Sequence, residues 1–141
     1  MYRSIIALIL MVSVSSAFAC SCIERSPEEY FKSANTILFG RIMKLEIVFD
    51  NDNRPYQKIT LNNEKMIKGN QTKVIYSAMD RNGCNGMSFM LGKEYVAFTD
   101  SAGWITGYCG GTQAIWPNMK HSKEFLKTIQ QLSPNKPIKL D

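Results

Sequence analysis

Two cysteines separated by a single residue, Cys20-Ser21-Cys22, follow directly on an apolar N-terminal segment. This segment carries Arg3 near its start, is mostly apolar from residue 5 to residue 14, and ends in Ala17-Phe18-Ala19. Small residues at the two outer positions of that last triplet are what signal peptidase accepts. We therefore predict that residues 1–19 are a cleavable signal peptide. Cleavage between Ala19 and Cys20 makes Cys20 the first residue of the mature chain and leaves it a free α-amine.

The apolar run predicts export rather than membrane anchoring. A bilayer-spanning helix needs about 20 apolar residues, roughly twice what this run supplies, and no second segment comes closer to that length. We expect a secreted protein, periplasmic if its source is a bacterium, with no stable membrane span. The alternative is a lipoprotein that is acylated on Cys20. Phe18 argues against it, because lipoprotein signals favour Leu followed by a small residue.

The size of the mature chain limits it to one domain. Removal of residues 1–19 leaves 122 of the 141 residues, enough for a single compact unit. We assign residues 20–133 to that domain and the Pro-containing end, residues 134–141, to a flexible tail. Loss of Arg3 leaves a net charge of about +4, spread along the chain. Such mixed charge indicates a solvated surface, with attraction to an acidic partner as the minor alternative. We expect a monomer without a nucleic-acid partner.

The pattern of apolar residues and turns predicts a mainly β domain with two helices. Ser26, Pro27 and Glu29 form a helix start with a capping box, and the helix should end near Asn35. Gly40 is expected to mark a bulge or bend in a long first strand. The predicted strands, most of them short, suit a small closed antiparallel barrel that is OB-like in size. A C-terminal helix over residues 118–132 would follow it. The predicted strands are 36–49, 56–67, 73–79, 87–90, 94–99 and 104–108.

Four cysteines in an exported chain predict two disulfides, because the compartments that exported proteins reach are oxidising. Cys84 and Cys109 stand in separate glycine-rich loops. A Cys20–Cys22 bridge would close a tight, strained ring, which leaves two ways of joining the N-terminal pair to the two loops. An intrinsic metal site is not expected, because Cys-x-Cys lacks zinc-knuckle spacing and His121 is the single histidine.

The chain resembles the N-terminal, netrin-like domain of the tissue inhibitors of metalloproteinases over about residues 20–116. Those proteins begin their mature chains with Cys-x-Cys, followed by a short helix that bears an aromatic residue. In that family a third bridge starts just after this aromatic residue, where the present chain has Lys32. The matching motifs are Cys20-Ser21-Cys22, Tyr30-Phe31, Cys84-Asn85-Gly86, Gly92-Lys93-Glu94-Tyr95-Val96-Ala97 and Trp104-Ile105-Thr106-Gly107-Tyr108-Cys109.

The resemblance selects one disulfide pairing. In the family the first cysteine pairs with the loop cysteine and the second with the cysteine at the end of the aromatic-rich strand. This implies Cys20–Cys84 and Cys22–Cys109. Two bridges within three residues would make rigid a chain terminus that is ordinarily mobile.

The resemblance also implies a function, which is inhibition of zinc metalloendopeptidases. The α-amine and carbonyl of Cys20 would chelate the catalytic zinc of the target enzyme, and Ser21 would point into the pocket beside the metal. The inhibitor itself would need no cofactor. Flanking contacts are expected from the rest of the N-terminal segment and from the loop around Cys84, namely Cys22, Ile23, Gly83 and Asn85.

Three functional classes are alternatives to inhibition. A secreted netrin-like binding module that inhibits nothing is the main alternative, because fold does not dictate function. Oligonucleotide binding is compatible with an OB-like barrel, but export argues against it. An enzyme is not expected, because His121 has no histidine partner and no nucleophile-elbow or phosphate-binding motif occurs.

Maturation can be tested by the intact mass of the purified secreted protein. We expect a chain that starts at Cys20, carries no lipid and lacks the four hydrogens lost on closing two disulfides. A retained signal peptide or an acylated Cys20 would contradict the predicted N-terminus.

Overall fold

A computed structural model of the protein describes residues 21–23, 25–70, 72–79 and 86–133. Within these ranges the chain forms a five-stranded antiparallel sheet, two α-helices and one 3-10 turn. The predicted signal peptide and tail lie outside the described residues. The elements, in chain order, are α1 (Pro27–Ser33), β1 (Thr36–Phe49), β2 (Pro55–Lys68), β3 (Val74–Ala78), β4 (Glu94–Thr99), the 3-10 turn (Tyr108–Gly110), β5 (Gln113–Ala114) and α2 (Lys120–Leu132).

Helix α1 is only seven residues long and is held at both ends by side chains. At its start the Ser26 hydroxyl accepts from the Glu29 amide (3.3 Å), and the Glu29 carboxylate accepts from the Ser26 amide (2.8 Å). At its end the Lys68 ammonium donates to the carbonyl oxygens of Phe31 and Ala34, each at 2.7 Å. A helix this short is marginal alone, so these bonds explain why it forms. The predicted capping box is confirmed.

Strand β1 is the centre of the sheet, whose order is β3-β2-β1-β4-β5. Its first half, Thr36–Arg41, pairs with β4 on one side and with β2 on the other. Its second half continues with β2 as a long hairpin, in which Phe49 lies opposite Pro55. The β1–β2 register shifts between Phe39 and Arg41, which confirms the irregularity predicted at Gly40.

The first half of β1 is buried on both faces, so its apolar residues are consecutive rather than alternating. One face, which carries Ile37 and Phe39, packs against the side chains of α1 and α2. The other face carries Leu38 and Ile42. The first core cluster comprises Ile37, Phe39, Ile67, Val96, Phe98, Ile115, Leu126 and Ile129. The second comprises Leu38, Ile42, Ile59, Leu61, Ile75, Phe89, Tyr95, Ala97 and Ile105.

Two predicted strands are wrong. Residues 87–90 form no strand, because their backbone bonds to side chains: the Met87 amide donates to the Ser77 hydroxyl (3.1 Å) and the Met90 amide to the Tyr95 hydroxyl (3.1 Å). Residues 104–108 make only isolated bridges at Trp104 and Ile105 before the chain enters the 3-10 turn. Strand β5 was not predicted; it pairs with Tyr95 and Val96 of β4.

The mainly β class, with one helix before the sheet and one after it, is confirmed, but the named strands do not close into a ring. The segment 103–105 lies between β3 and the end of β4. The Tyr76 amide donates to the Gly103 carbonyl (2.9 Å), and the Ile105 amide donates to the Tyr76 carbonyl (2.8 Å). Within the described ranges no helix has the length and apolar composition that crossing a bilayer requires.

Substitution of Gly111 by Ala tests the packing between α1 and the 3-10 turn. Gly111 has φ +85°, and a Cβ there would lie 2.7 Å from Cγ of Tyr30. We expect Gly111→Ala to lower the free energy of unfolding by roughly 2–3 kcal/mol, from left-handed strain plus overpacking. Gly92→Ala is the matched control, because Gly92 has φ +74° but nothing within 4 Å of the added Cβ. Equal losses in urea unfolding would contradict tight packing at Gly111.

Candidate functional site

A disulfide joins the start of the described chain to the 3-10 turn between β4 and β5. The sulfur atoms of Cys22 and Cys109 are 1.98 Å apart and the two Cα atoms 5.2 Å apart, across a sequence separation of 87 residues. This bridge is one of the two that the resemblance implies. Cys20, Cys84, Gly83 and Asn85 lie outside the described residues, so the Cys20–Cys84 bridge and the contacts expected of this loop stay predictions.

The Cys109 end of the bridge stands in the 3-10 turn, which glycines enclose on both sides. Gly107 before the turn has φ +67° and Gly111 after it has φ +85°, conformations that favour glycine. A Cβ on Gly110 would lie 2.7 Å from Cβ of Thr106, so the turn is tightly wound. The turn therefore offers the disulfide a fixed point of attachment.

Tyr30 of α1 connects this turn to the core. Its ring lies directly against Gly111 and contacts the ring of Phe98, with centroids 6.0 Å apart. Phe98 belongs to the first core cluster and is 1% exposed. The turn that holds Cys109 is therefore linked to the core through Gly111 and Tyr30.

The N-terminal segment on the other side of the disulfide is exposed. Ser21, Cys22 and Ile23 all lie at the surface, and Ile23 is 80% exposed. A single exposed apolar side chain is common at protein surfaces, so Ile23 is accessible to solvent but does not by itself indicate a partner. The structure thus presents three of the sequence-predicted site residues as an exposed segment held by a covalent bond.

A small cleft of about 190 Å³ adjoins the disulfide. The sequence analysis did not identify two of its polar residues, Arg25 and Thr106. The Gly110-Gly111 pair was the available signal for this cleft, because two glycines after a cysteine allow other segments of the chain to approach closely. The cleft is lined by Arg25, Tyr30, Ser33, Ala34, Thr106, Cys109 and Gly110.

The charges around this segment are of both signs. Arg25 is exposed, and two carboxylates, Glu28 and Glu29, stand in the first turn of α1. Hydrogen bonds from its own backbone amide and from the Ser26 hydroxyl lower the pKa of the Glu28 carboxyl, with a smaller contribution from the nearby Lys32 charge. The carboxylate also lies at a helix N-terminus, where negative charge is favoured.

No three His, Cys, Asp or Glu side chains come together as a metal site within the residues that the structure describes. His121 lies exposed in the first turn of α2.

Comparison with known proteins does not identify a family. No protein-family model matches this chain, and no curated protein sequence shows significant similarity to it.

Removal of the disulfide should both destabilise the fold and free the N-terminal segment. We expect Cys22→Ser combined with Cys109→Ser to lower the free energy of unfolding by roughly 3–4 kcal/mol, since a long loop is released in the chain-entropy model. Urea unfolding measures the loss. Backbone ¹⁵N relaxation should show Ile23 becoming more mobile, with the Asn51 amide at the hairpin end as internal control. An unchanged Ile23 would show that the bridge does not order this segment.

Proposed function

We propose that the mature protein is an extracytoplasmic inhibitor of zinc metalloendopeptidases that acts through its N-terminus. The observation that carries the proposal is the Cys22–Cys109 bridge, which fixes an exposed segment two residues from the predicted new chain end. The resemblance of the Cys-x-Cys start and of the cysteine spacing to tissue inhibitors of metalloproteinases supports the same function.

The proposed chemistry uses the open coordination position of a catalytic zinc. Such a zinc is held by three protein ligands and keeps one position for water. The α-amine nitrogen and carbonyl oxygen of Cys20 can form a five-membered chelate ring with that metal and displace the water. Ser21 would then enter the pocket beside the zinc, and Ile23 would contact the rim of the enzyme's cleft.

The Cys22–Cys109 disulfide gives this inhibitor an advantage over a free peptide. Binding ordinarily costs the freedom of each segment that becomes ordered. A segment already held at Cys22 loses less conformational freedom when it binds. The same restraint would oppose the change of backbone geometry that hydrolysis of the segment requires. Cys20–Cys84 would complete the restraint.

We propose further that the sheet belongs to a closed, OB-like barrel of the netrin type. The support is the pair of backbone hydrogen bonds from Tyr76 to residues 103–105, together with the Asp100 amide donating to the Trp104 carbonyl (2.9 Å). Through these bonds, residues 103–105 connect the open edge of β3 to the end of β4. The arrangement would leave Ile75 and Ile105 inside the barrel, where both are buried.

An added N-terminal residue tests the mechanism. We expect one extra Ala before Cys20 to abolish inhibition across a panel of zinc endopeptidases assayed with a quenched peptide, because the amine moves away from the metal. One extra Ala after Asp141 is the matched control and should inhibit normally. Since an α-amine titrates near pH ~7.7–8, inhibition should weaken as pH falls below that range. Equal potency of the two extended proteins would overturn chelation.

A binding module without inhibitory activity is the second candidate, favoured by the far end of the β1–β2 hairpin. Ile47 is 62% exposed and Phe49 is 57% exposed there. Both lie on one face of β1, because alternate residues of a strand point the same way. Failure of the unmodified mature protein to inhibit any member of the panel would favour this candidate.

A further inference from the structure

A larger cleft, of about 410 Å³, lies apart from the disulfide and shares no residue with the cleft beside Cys109. Its volume falls within the range of small-molecule sites. One wall is built by the start of β1 and the turn between β2 and β3, and the other by the turn after β4. The lining residues are Asn35, Thr36, Gly69, Asn70, Thr72, Val74, Tyr76, Thr99, Asp100, Ser101, Ala102 and Gly103.

Both walls are held in place by specific contacts. Gly69 has φ +86°, and a Cβ there would lie 2.5 Å from the Asn35 carbonyl oxygen and 2.6 Å from the Thr36 hydroxyl. The turn therefore packs on the start of β1 as only glycine allows. In the other wall, Oδ1 of Asp100 accepts from the amides of Ala102 (2.8 Å) and Trp104 (2.9 Å). The cleft is thus formed before any ligand arrives.

The polar groups of the lining are neutral except for one carboxylate. The side-chain amides of Asn35 and Asn70 and the hydroxyl of Ser101 make no hydrogen bond to the described part of the chain, and Oδ2 of Asp100 accepts none there. All of these residues are exposed. Together they offer donors and acceptors on both walls. No lysine, arginine or histidine is among the lining residues that the structure describes.

An aromatic surface borders the cleft. Tyr76 lines it and is half-buried, since it lies on the outer face of β3 while Ile75 and Ser77 point inward. Its ring contacts the ring of Trp104, with centroids 5.4 Å apart, and the ring of Tyr56 at 6.0 Å. The rings of Tyr56 and Trp104 also touch, at 5.2 Å. Three mutually packed rings form a stiff platform that continues from the cleft along the sheet.

We propose that this cleft binds a neutral saccharide. A pyranose ring has one face of C–H groups that packs on an aromatic ring, and a rim of hydroxyls that each donate and accept hydrogen bonds. Tyr76 supplies the first kind of contact, while Asn35, Asn70 and Asp100 supply the second. The Asp100 carboxylate disfavours phosphate and sulfate, and the polar walls disfavour a purely apolar ligand. This proposal does not rest on protease inhibition.

Saccharide titrations followed by ¹H–¹⁵N NMR test the proposal. The probes are chitotriose, cellotriose and maltotriose as polysaccharide fragments, and N-acetyllactosamine and mannotriose as units of glycoprotein glycans. We expect at least one probe to shift the amides of residues 35–36, 69–70 and 99–103 in a saturable manner. Binding of the first three probes would indicate a polysaccharide ligand, and binding of the last two would indicate a glycoprotein glycan. Binding should not change with salt concentration, because the ligand is uncharged.

Variants then locate the site. Asn35→Ala combined with Asn70→Ala should weaken binding about tenfold or more, since two hydrogen bonds to the ligand are lost. Asp100→Asn keeps one oxygen for the turn and should weaken binding by about the same factor. Asn51→Ala, at the exposed end of the hairpin, is the matched control and should bind normally. Urea unfolding confirms that each variant is folded.

Three outcomes would overturn the proposal. The first is that no neutral saccharide shifts these amides. The second is that binding survives the Asn35 and Asn70 substitutions unchanged. The third is salt-sensitive binding of a heparin-derived hexasaccharide or a DNA decamer in place of neutral sugars, which would show that the surface selects anions.

Discussion

The covalent link between Cys22 and Cys109 is the constraint on which the N-terminal region depends. It joins residues 87 positions apart and ends in a 3-10 turn enclosed by glycines. The turn in turn rests on Tyr30, whose ring reaches the core at Phe98. A segment that would fray in most chains is therefore connected to the hydrophobic core through one bond and one aromatic contact. The proposed inhibitory role depends on this covalent link, because a wedge that enters a protease must keep its shape.

The same architecture accounts for the second cleft. Burial of both faces of β1 in its first half requires layers on each side, and the helices supply one of them. Lys68 at the end of β2 caps α1, so the β2–β3 turn that follows is brought against Asn35 and Thr36 at the start of β1. A single packing arrangement thus places the exposed N-terminal segment and the larger cleft on separate parts of the surface.

Local signals in the chain were enough to predict much of this fold. The Ser26–Glu29 capping box, the β-branched and aromatic run of β1 and the irregularity at Gly40 each act through near neighbours, and all are present. The segment 87–90 is not the predicted strand, because its backbone amides bond to the side chains of Ser77 and Tyr95. The segment 104–108 pairs with Tyr76 and Thr99 only at isolated bridges before it enters the 3-10 turn. Those partners are brought near by the tertiary fold, and a periodicity of two residues does not reveal them.

The candidate site divides in the same way. The sequence by itself determined the predicted new N-terminus, the closely spaced cysteines and the helix that follows, because signal cleavage, disulfide chemistry and helix capping depend on short stretches of chain. Only the tertiary structure decided that Tyr30 supports the Cys109 turn, that Ile23 is left exposed, and that Tyr76 and Asp100 face one cleft. These relations join residues far apart in the chain, and such contacts exist only after the sheet and helices have packed.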